Sequence, residues 1–256
     1  MEVGNEEDMA LAGANTAQDD ARFQPYIDAF KAQATAMHQA DPNVKVIGPA
    51  CTNEWFCWNR DFLGMFLRQT GHHDPNAPLD PSSPDGFSLH YYAGSTWSDS
   101  MGVAQTWSSR MWQYTQDVIQ QNDTRQLPVY LSEWNVGGSD SGNSFNASLG
   151  KGLVMADMLG AFAQSGVAQE DYFDVHTATH HGLLYGTGES RPVDSPTPAY
   201  YATAMWGHMG RSLLPLTQSS WVNAGTEVSA YAAKKDDGSL QVLAINKQGA
   251  AQNITV

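Results

Sequence analysis

The chain has 256 residues, 41% of them hydrophobic and 16% charged, enough apolar surface to bury a sizeable core, which argues against disordered and fibrous classes. Its formal charge of -14 argues against nucleic acid or an anionic membrane as partner, because such a surface repels phosphates; a neutral or cationic ligand fits better, and acidity that serves only to keep the protein in solution is the alternative. No apolar run of about 18 residues and no basic-then-apolar leader is visible, so neither a membrane span nor an intact secretion signal is expected in this stretch.

From the first residues to about residue 210, short apolar runs alternate with helical stretches, the rhythm of βα units on a parallel sheet. The first predicted strand, MEVGN (1 to 5), runs directly into the acidic EED. A helix is predicted over 22 to 40, where Phe23, Tyr26, Ile27, Phe30 and Ala34 recur at helical spacing and define the face that packs on the sheet. The turn signal DPN stops it before the second strand, VKVIGPA (44 to 50). A helix over 60 to 70 and a Pro- and Asp-rich loop over 72 to 86 lead to the third strand, GFSLHYY (86 to 92). A helix over 101 to 122 precedes the fourth strand, LPVYLSEW (127 to 134), and a helix over 148 to 165 precedes the fifth, DYFDVHT (171 to 177). The last helix of this part, 198 to 210, carries Pro198 in its first turn and ends near a glycine. Beyond residue 211 the pattern changes: VSAYAAKKDDGSLQVLAIN alternates apolar and polar residues on both sides of Asp-Gly, a hairpin signature. Two domains are therefore expected, 1 to 211 and a small, partial β domain over 212 to 256.

In a parallel βα architecture ligands bind at the carboxyl ends of the strands. Glu6, after EVGN, and Glu133, in PVYLSEWN, both stand at such ends. Two carboxylates facing each other can divide acid and nucleophile roles, the machinery of glycoside hydrolysis, and a retaining enzyme holds them about 5 to 5.5 Å apart. A strand-end Glu can also merely cap a helix or pair with a lysine, but Asn5, Trp134 and Asn135 beside this pair favour a site. The other mouth positions suit a sugar: His90, Tyr91 and Tyr92 end one strand, Asn53, Glu54, Trp55 and Trp58 follow another, and Trp97 lies in the next loop. Each aromatic taken singly could serve the core instead.

Other chemistries have less support. There is no G-x-S-x-G, and neither cysteine has a base beside it in sequence. Cys51 and Cys57 lack zinc-site spacing and suit either a local disulfide or two buried thiols. His72, His73, His176, His180 and His181 cluster without H-E-x-x-H spacing, so no metal is expected. Glycosylation sequons begin at Asn122, Asn146 and Asn253.

Taken together these motifs resemble glycoside hydrolase clan A. EVGNE resembles the acid/base signature at the end of the fourth barrel strand, YLSEWN the nucleophile signature at the end of the seventh, and GFSLHYY the sixth strand with its His-x-Tyr ending. PAYYATAMW resembles the last barrel helix of the α-L-arabinofuranosidase and β-xylosidase members, and the likeness runs in order over residues 2 to 210. The resemblance implies a (β/α)8 TIM-barrel type fold represented by strands 4 to 8, followed by part of a β-sandwich. It implies Glu6 as acid/base, Glu133 as nucleophile, Asn5 on the sugar 2-hydroxyl, and Tyr92 or His90 as support for the nucleophile, with no cofactor. Arabinofuranosides or xylosides come first as substrates and β-glucan second, in an extracellular or periplasmic setting. On this resemblance the first three βα units are missing from the sequence, so catalysis is expected to need them and another chain or copy is a candidate to cover the open sheet edges. A non-catalytic carbohydrate-binding module and a fragment that neither binds nor cleaves are the rival readings.

Overall fold

The structure is a computed structural model that describes residues 1–11, 16–52, 61–137, 145–177, 181–189, 191–216 and 228–253. Four strands form the main sheet in the order in which they occur: β1 (Ile47–Cys51), β2 (Gly86–Ala93), β3 (Val129–Val136) and β4 (Gln169–Tyr172). β1 and β2 run parallel, with Ile47 opposite Gly86. β2 is buried along almost its whole length, as expected of a parallel strand covered on both faces.

Packing divides the chain into two compact units. The first comprises Met1–Tyr91, Arg110–Trp134 and Val167–Asp171. Here α1 (Thr16–Ala40) buries Phe23, Ile27, Phe30 and Ala34, the predicted face. α2 (Phe62–Thr70) meets it through Phe62, whose ring lies 3.9 Å from that of Phe23, and through Phe66, edge-on to Phe30 at 4.8 Å. Phe66 also lies 6.3 Å from Phe87 of β2, so one aromatic layer joins both helices to the sheet.

The second unit comprises Tyr92–Ser109, Asn135–Gly166 and Tyr172–Val256. The expected helix over 101 to 122 is interrupted: Val103–Thr106 is α-helical, Trp107–Met111 is a π segment, and α3 (Trp112–Asn122), which belongs to the first unit, follows. α4 (Leu149–Ser165) starts at a Ser148 cap and ends at Gly166, whose φ of 83° suits glycine at a helix end. α5 (Pro198–Trp206) starts at a Thr197 cap with Pro in its first turn and stops one turn short of the expected end. The expected strand 171 to 177 is broken into the end of β4 and a two-residue β5 (His176–Thr177), which pairs in parallel with β6 (Leu184–Tyr185).

The predicted hairpin forms. β8 (Val228–Lys234) and β9 (Leu240–Asn246) pair antiparallel around a turn where Gly238 takes φ 86°, and β7 (Ser212–Leu214) adds to β8. This sheet shares its unit with α4, where the Tyr231 hydroxyl donates to Asp157 Oδ1 at 2.6 Å and Lys247 Nζ donates to Asp157 Oδ2 at 2.5 Å. Among the described residues no helix is long and apolar enough to cross a membrane. Cys51 is disulfide-bonded, and the only other cysteine, Cys57, lies outside the described residues. The sequon asparagine Asn146 is fully buried, so its side chain is closed to glycosylation.

Candidate active site

The first segment of the chain forms no full strand. Glu2 makes an isolated parallel bridge to Ile47, with Val3 N–H donating to the Ile47 carbonyl at 3.0 Å. The ladder stops because Gly4 bends away at φ 99°, a conformation that suits glycine; a Cβ there would stand 2.6 Å from the Tyr26 ring. The Tyr26 hydroxyl donates to the Val3 carbonyl at 2.7 Å and pins this bend to α1.

Beyond the bend the backbone bonds again to β1: Glu6 N–H donates to the Ala50 carbonyl at 2.8 Å. Both residues are left-handed, Glu6 at φ 57° and Ala50 at φ 52°. Non-glycine residues held there store on the order of 1 to 3 kcal/mol each and cluster at functional sites. A short 3-10 turn, Glu7–Leu11, follows.

Glu6 and Glu133 are 23% and 25% exposed, and the His90 side chain between them is 1% exposed. His90 Nδ1 lies 2.9 Å from Glu6 Oε1 and 3.6 Å from Glu133 Oε2. The direction of this bond follows the proton: a protonated Nδ1 donates to a Glu6 carboxylate, and a protonated Glu6 carboxyl donates to an unprotonated Nδ1. One ligand atom from each of the three residues lies within 4.8 Å of the others. Three elements bring them together: the bend after Val3, β2 and β3. One imidazole nitrogen and two carboxylates could hold a cation, and this is the one such cluster among the described residues.

The remaining expected residues are placed as follows. Asn5 is exposed beside Glu6. Asn53 and Trp55 lie outside the described residues. Tyr92 and Trp97 belong to the second unit and are half-buried, Trp97 at the head of a short helix, Trp97–Ser100. Trp134, expected on the sugar face, is 1% exposed, and its Nε1 donates to Glu170 Oε2 at 2.9 Å. Successive strand residues point to opposite faces, so Trp134 turns away from the side on which Glu133 meets His90. Of the histidines weighed for a metal, His176 pairs with Asp194 at 3.1 Å, His73 bonds the Arg68 carbonyl at 3.1 Å, and His180 is outside the described residues.

Three participants were not legible as such. Asp8 belongs to the acidic EED that follows the first apolar run, yet it is fully buried and accepts from Thr52 N–H at 2.9 and 3.1 Å and from Thr52 Oγ1 at 2.8 Å. Burial pushes its carboxyl up, while the Thr52 bonds pull the other way. The Ser88 hydroxyl accepts from Ala50 N–H at 3.0 Å and ties the strained end of β1 to β2. Burial raises the Glu170 carboxyl to about 7 against the pull of the Trp134 bond. The only sequence signal for Asp8 and Glu170 is that each acidic side chain abuts a strand end.

Residues 2–158 match the model of glycosyl hydrolases family 39. Among solved structures, the α-L-arabinofuranosidase from Thermotoga maritima in its arabinose complex is similar at TM-score 0.66 and 19% identity, over 87% of this chain and 47% of that one. A family 44 endoglucanase produced by Clostridium acetobutylium ATCC 824 is similar at TM-score 0.64 and 16% identity, over 97% of this chain and 54% of that one. A family 44 xyloglucanase of Paenibacillus polymyxa gives 0.62 and 13%, over 96% and 53%. No curated protein matches the chain. The structural likenesses show a fold, that of part of the TIM barrel of clan A glycosidases, and the chain spans about half the length of those structures. More than half of its own length lies within the family match, and the chain belongs to family 39 of the glycosyl hydrolases.

Proposed function

We propose that this chain carries the two-carboxylate centre of a retaining glycosidase acting on plant-type polysaccharide or its oligosaccharides. The observation that carries the reading is that Glu6, His90 and Glu133 each bring one ligand atom within 4.8 Å of the others, which gathers two carboxylates at one place, as double displacement needs. Glu133 attacks the anomeric carbon and the leaving oxygen takes a proton from Glu6. Glu6 then removes a proton from water, whose oxygen replaces Glu133 on the sugar. His90, bonded to Glu6 and next to Glu133, keeps the two carboxyl groups in register. Asn5, exposed beside Glu6, is available to a sugar hydroxyl, and Trp134, buried and bonded to Glu170, supports Glu133 from the same strand.

In this reading the described strands correspond to barrel strands 4 to 8, and residues 212 to 256 begin an appended β domain. Arabinofuranoside or xyloside is the first substrate class, supported by the arabinofuranosidase likeness. An endo-acting β-glucanase is the second, supported by the endoglucanase likeness.

The test is covalent trapping. Incubation with 2-fluoro arabinofuranosyl, xylosyl and cellobiosyl donors, followed by peptide mass spectrometry, should place one glycosyl adduct on Glu133. No adduct with any donor, together with no release of reducing sugar from arabinan, xylan or β-glucan, removes the enzymatic reading. Binding of an oligosaccharide by calorimetry under those conditions would leave a carbohydrate-binding module.

A further inference from the structure

We propose that Asp8 is a positioning residue for Glu6: by clamping Thr52 it holds the short segment after the first bend against the end of β1 and aims the Glu6 carboxyl at His90. The inference rests on reading Glu6 as the acid/base.

The segment Glu6–Asp8 lies alongside Ala50–Thr52 and is tied to it at both ends. At one end Glu6 N–H donates to the Ala50 carbonyl at 2.8 Å. At the other the Asp8 carboxylate receives the Thr52 backbone N–H at 2.9 and 3.1 Å and the Thr52 hydroxyl at 2.8 Å. The two left-handed residues, Glu6 at φ 57° and Ala50 at φ 52°, sit at the first of these ties. Strained backbone of this kind persists only where its surroundings over-determine it. The Ala50 bond holds one side of Glu6 and the Met9 N–H bond to the Glu6 carbonyl at 3.0 Å closes the turn after it, while the Asp8 tie anchors the far end of the segment to the end of β1.

The side chains agree. Glu7 points to solvent, while Asp8 beside it is fully buried, a placement that a carboxylate tolerates only when it is hydrogen-bonded. Thr52 supplies charge-assisted bonds from two donors, stronger than neutral ones. Asp8 also bonds its own backbone N–H within the 3-10 turn, but its strongest ties reach a residue 44 positions away on another element.

The test uses the full chain and three variants, Asp8→Asn, Asp8→Ala and Thr52→Val, with thermal melts to confirm folding. Crystal structures of parent and variants should show Glu6 leaving the left-handed region and its carboxyl moving beyond hydrogen-bond reach of His90. An unchanged Glu6 φ and an unchanged contact to His90 in all folded variants overturn the proposal. If Asp8→Ala fails to fold, Asp8→Asn and Thr52→Val, which keep the shapes, decide it. Kinetics supply a second readout on a series of aryl glycosides. Loss of about 10²-fold with poor leaving groups, the scale of a roughly 1 Å misplacement, and near-parent rates with activated ones indicate an effect through the acid. A uniform loss across the series overturns the proposal. A parent that neither turns over nor takes an adduct on Glu133 refutes the glycosidase reading alone, since the crystal structures still judge the clamp.

Discussion

His90 Nδ1 stands 2.9 Å from Glu6 Oε1, in a side chain that is 1% exposed. A buried imidazole with one acidic partner in bonding range and a second at 3.6 Å fixes where both can sit. Loss of a hydrogen bond to a charged group costs about 1.5 to 3 kcal/mol. His90→Ala should therefore lower kcat/KM by roughly 10- to 100-fold, at about 1.4 kcal/mol per tenfold. His90→Asn, which restores a donor, should recover part of it. Steady-state kinetics alongside melting temperatures check this, and an unchanged rate in folded His90→Ala contradicts the role.

The two carboxylates should separate by leaving group. Glu133→Gln is expected to lower turnover by about 10⁴-fold or more, the scale on which removing a nucleophile acts. Azide should restore part of the activity of Glu133→Ala as a glycosyl azide. Glu6→Ala should lose about 10² to 10⁴-fold on natural linkages and much less on activated aryl glycosides. Similar, mild losses from both substitutions on every substrate would remove the assignment.

Double displacement by two carboxylates requires no metal. Dialysis against a chelator should therefore leave turnover within about twofold, inside the tenfold that roughly 1.4 kcal/mol represents. Restoration of a lost activity by one added divalent cation would instead make the Glu6, His90 and Glu133 cluster a metal centre.

A pH-dependent latch lies at the other end of the same strands. His38 Nδ1 faces the Pro81 carbonyl at 2.6 Å and Nε2 faces Asp85 Oδ2 at 2.8 Å, so only the doubly protonated ring can donate to both. The Pro81 bond, and then Asp85, raise the His38 pKa against burial and the nearby Lys45. Burial pushes Asp85 up, but bonds from Val46 N–H, His38 and Lys45 outweigh it and hold the carboxyl low. The His38 contribution is thus complete below its unfolded value of about 6.5 and is lost as pH rises through the raised folded value. The Asp85 contribution is present above about 3.9 and is lost as pH falls through the lowered value. Thermal melts from pH 4 to 9 should show His38→Gln losing stability relative to the parent below about pH 6.5 and converging with it at alkaline pH. A constant offset across the range would contradict the latch.

The Lys247 and Asp157 pair should behave as a buried charge pair. Lys247 Nζ donates to Asp157 Oδ2 at 2.5 Å, to the Met101 carbonyl at 3.0 Å and to Ser229 Oγ at 3.2 Å, and both residues are buried. Removing one partner strands the other, at about 3 to 5 kcal/mol and roughly 6 to 20 °C in Tm. The double variant Lys247→Met with Asp157→Leu should be more stable than either single variant. Calorimetric melts of the three proteins check this, and strict additivity would show that the charges are not coupled.

Periodicity and punctuation were enough to read most elements. The Phe23, Ile27, Phe30 and Ala34 stripe, the Pro198 start of α5, and the Asp-Gly hairpin are local features, set by side-chain spacing and turn chemistry within a few residues. So is the position of Glu6 and Glu133 where apolar runs end. The interrupted helix at Trp107–Met111 and the broken strand after Tyr172 were not legible, because tertiary packing overrides propensity there.

Sequence alone therefore determined the element order and the family likeness, since both reside in short contiguous patterns. Only the tertiary structure decided that Glu6, His90 and Glu133 converge within 4.8 Å, that Asp8 is buried against Thr52, and that Trp134 turns inward to Glu170. Those distances depend on which strands neighbour one another and in what register, and no local pattern of apolar and polar residues encodes a meeting between groups dozens of positions apart.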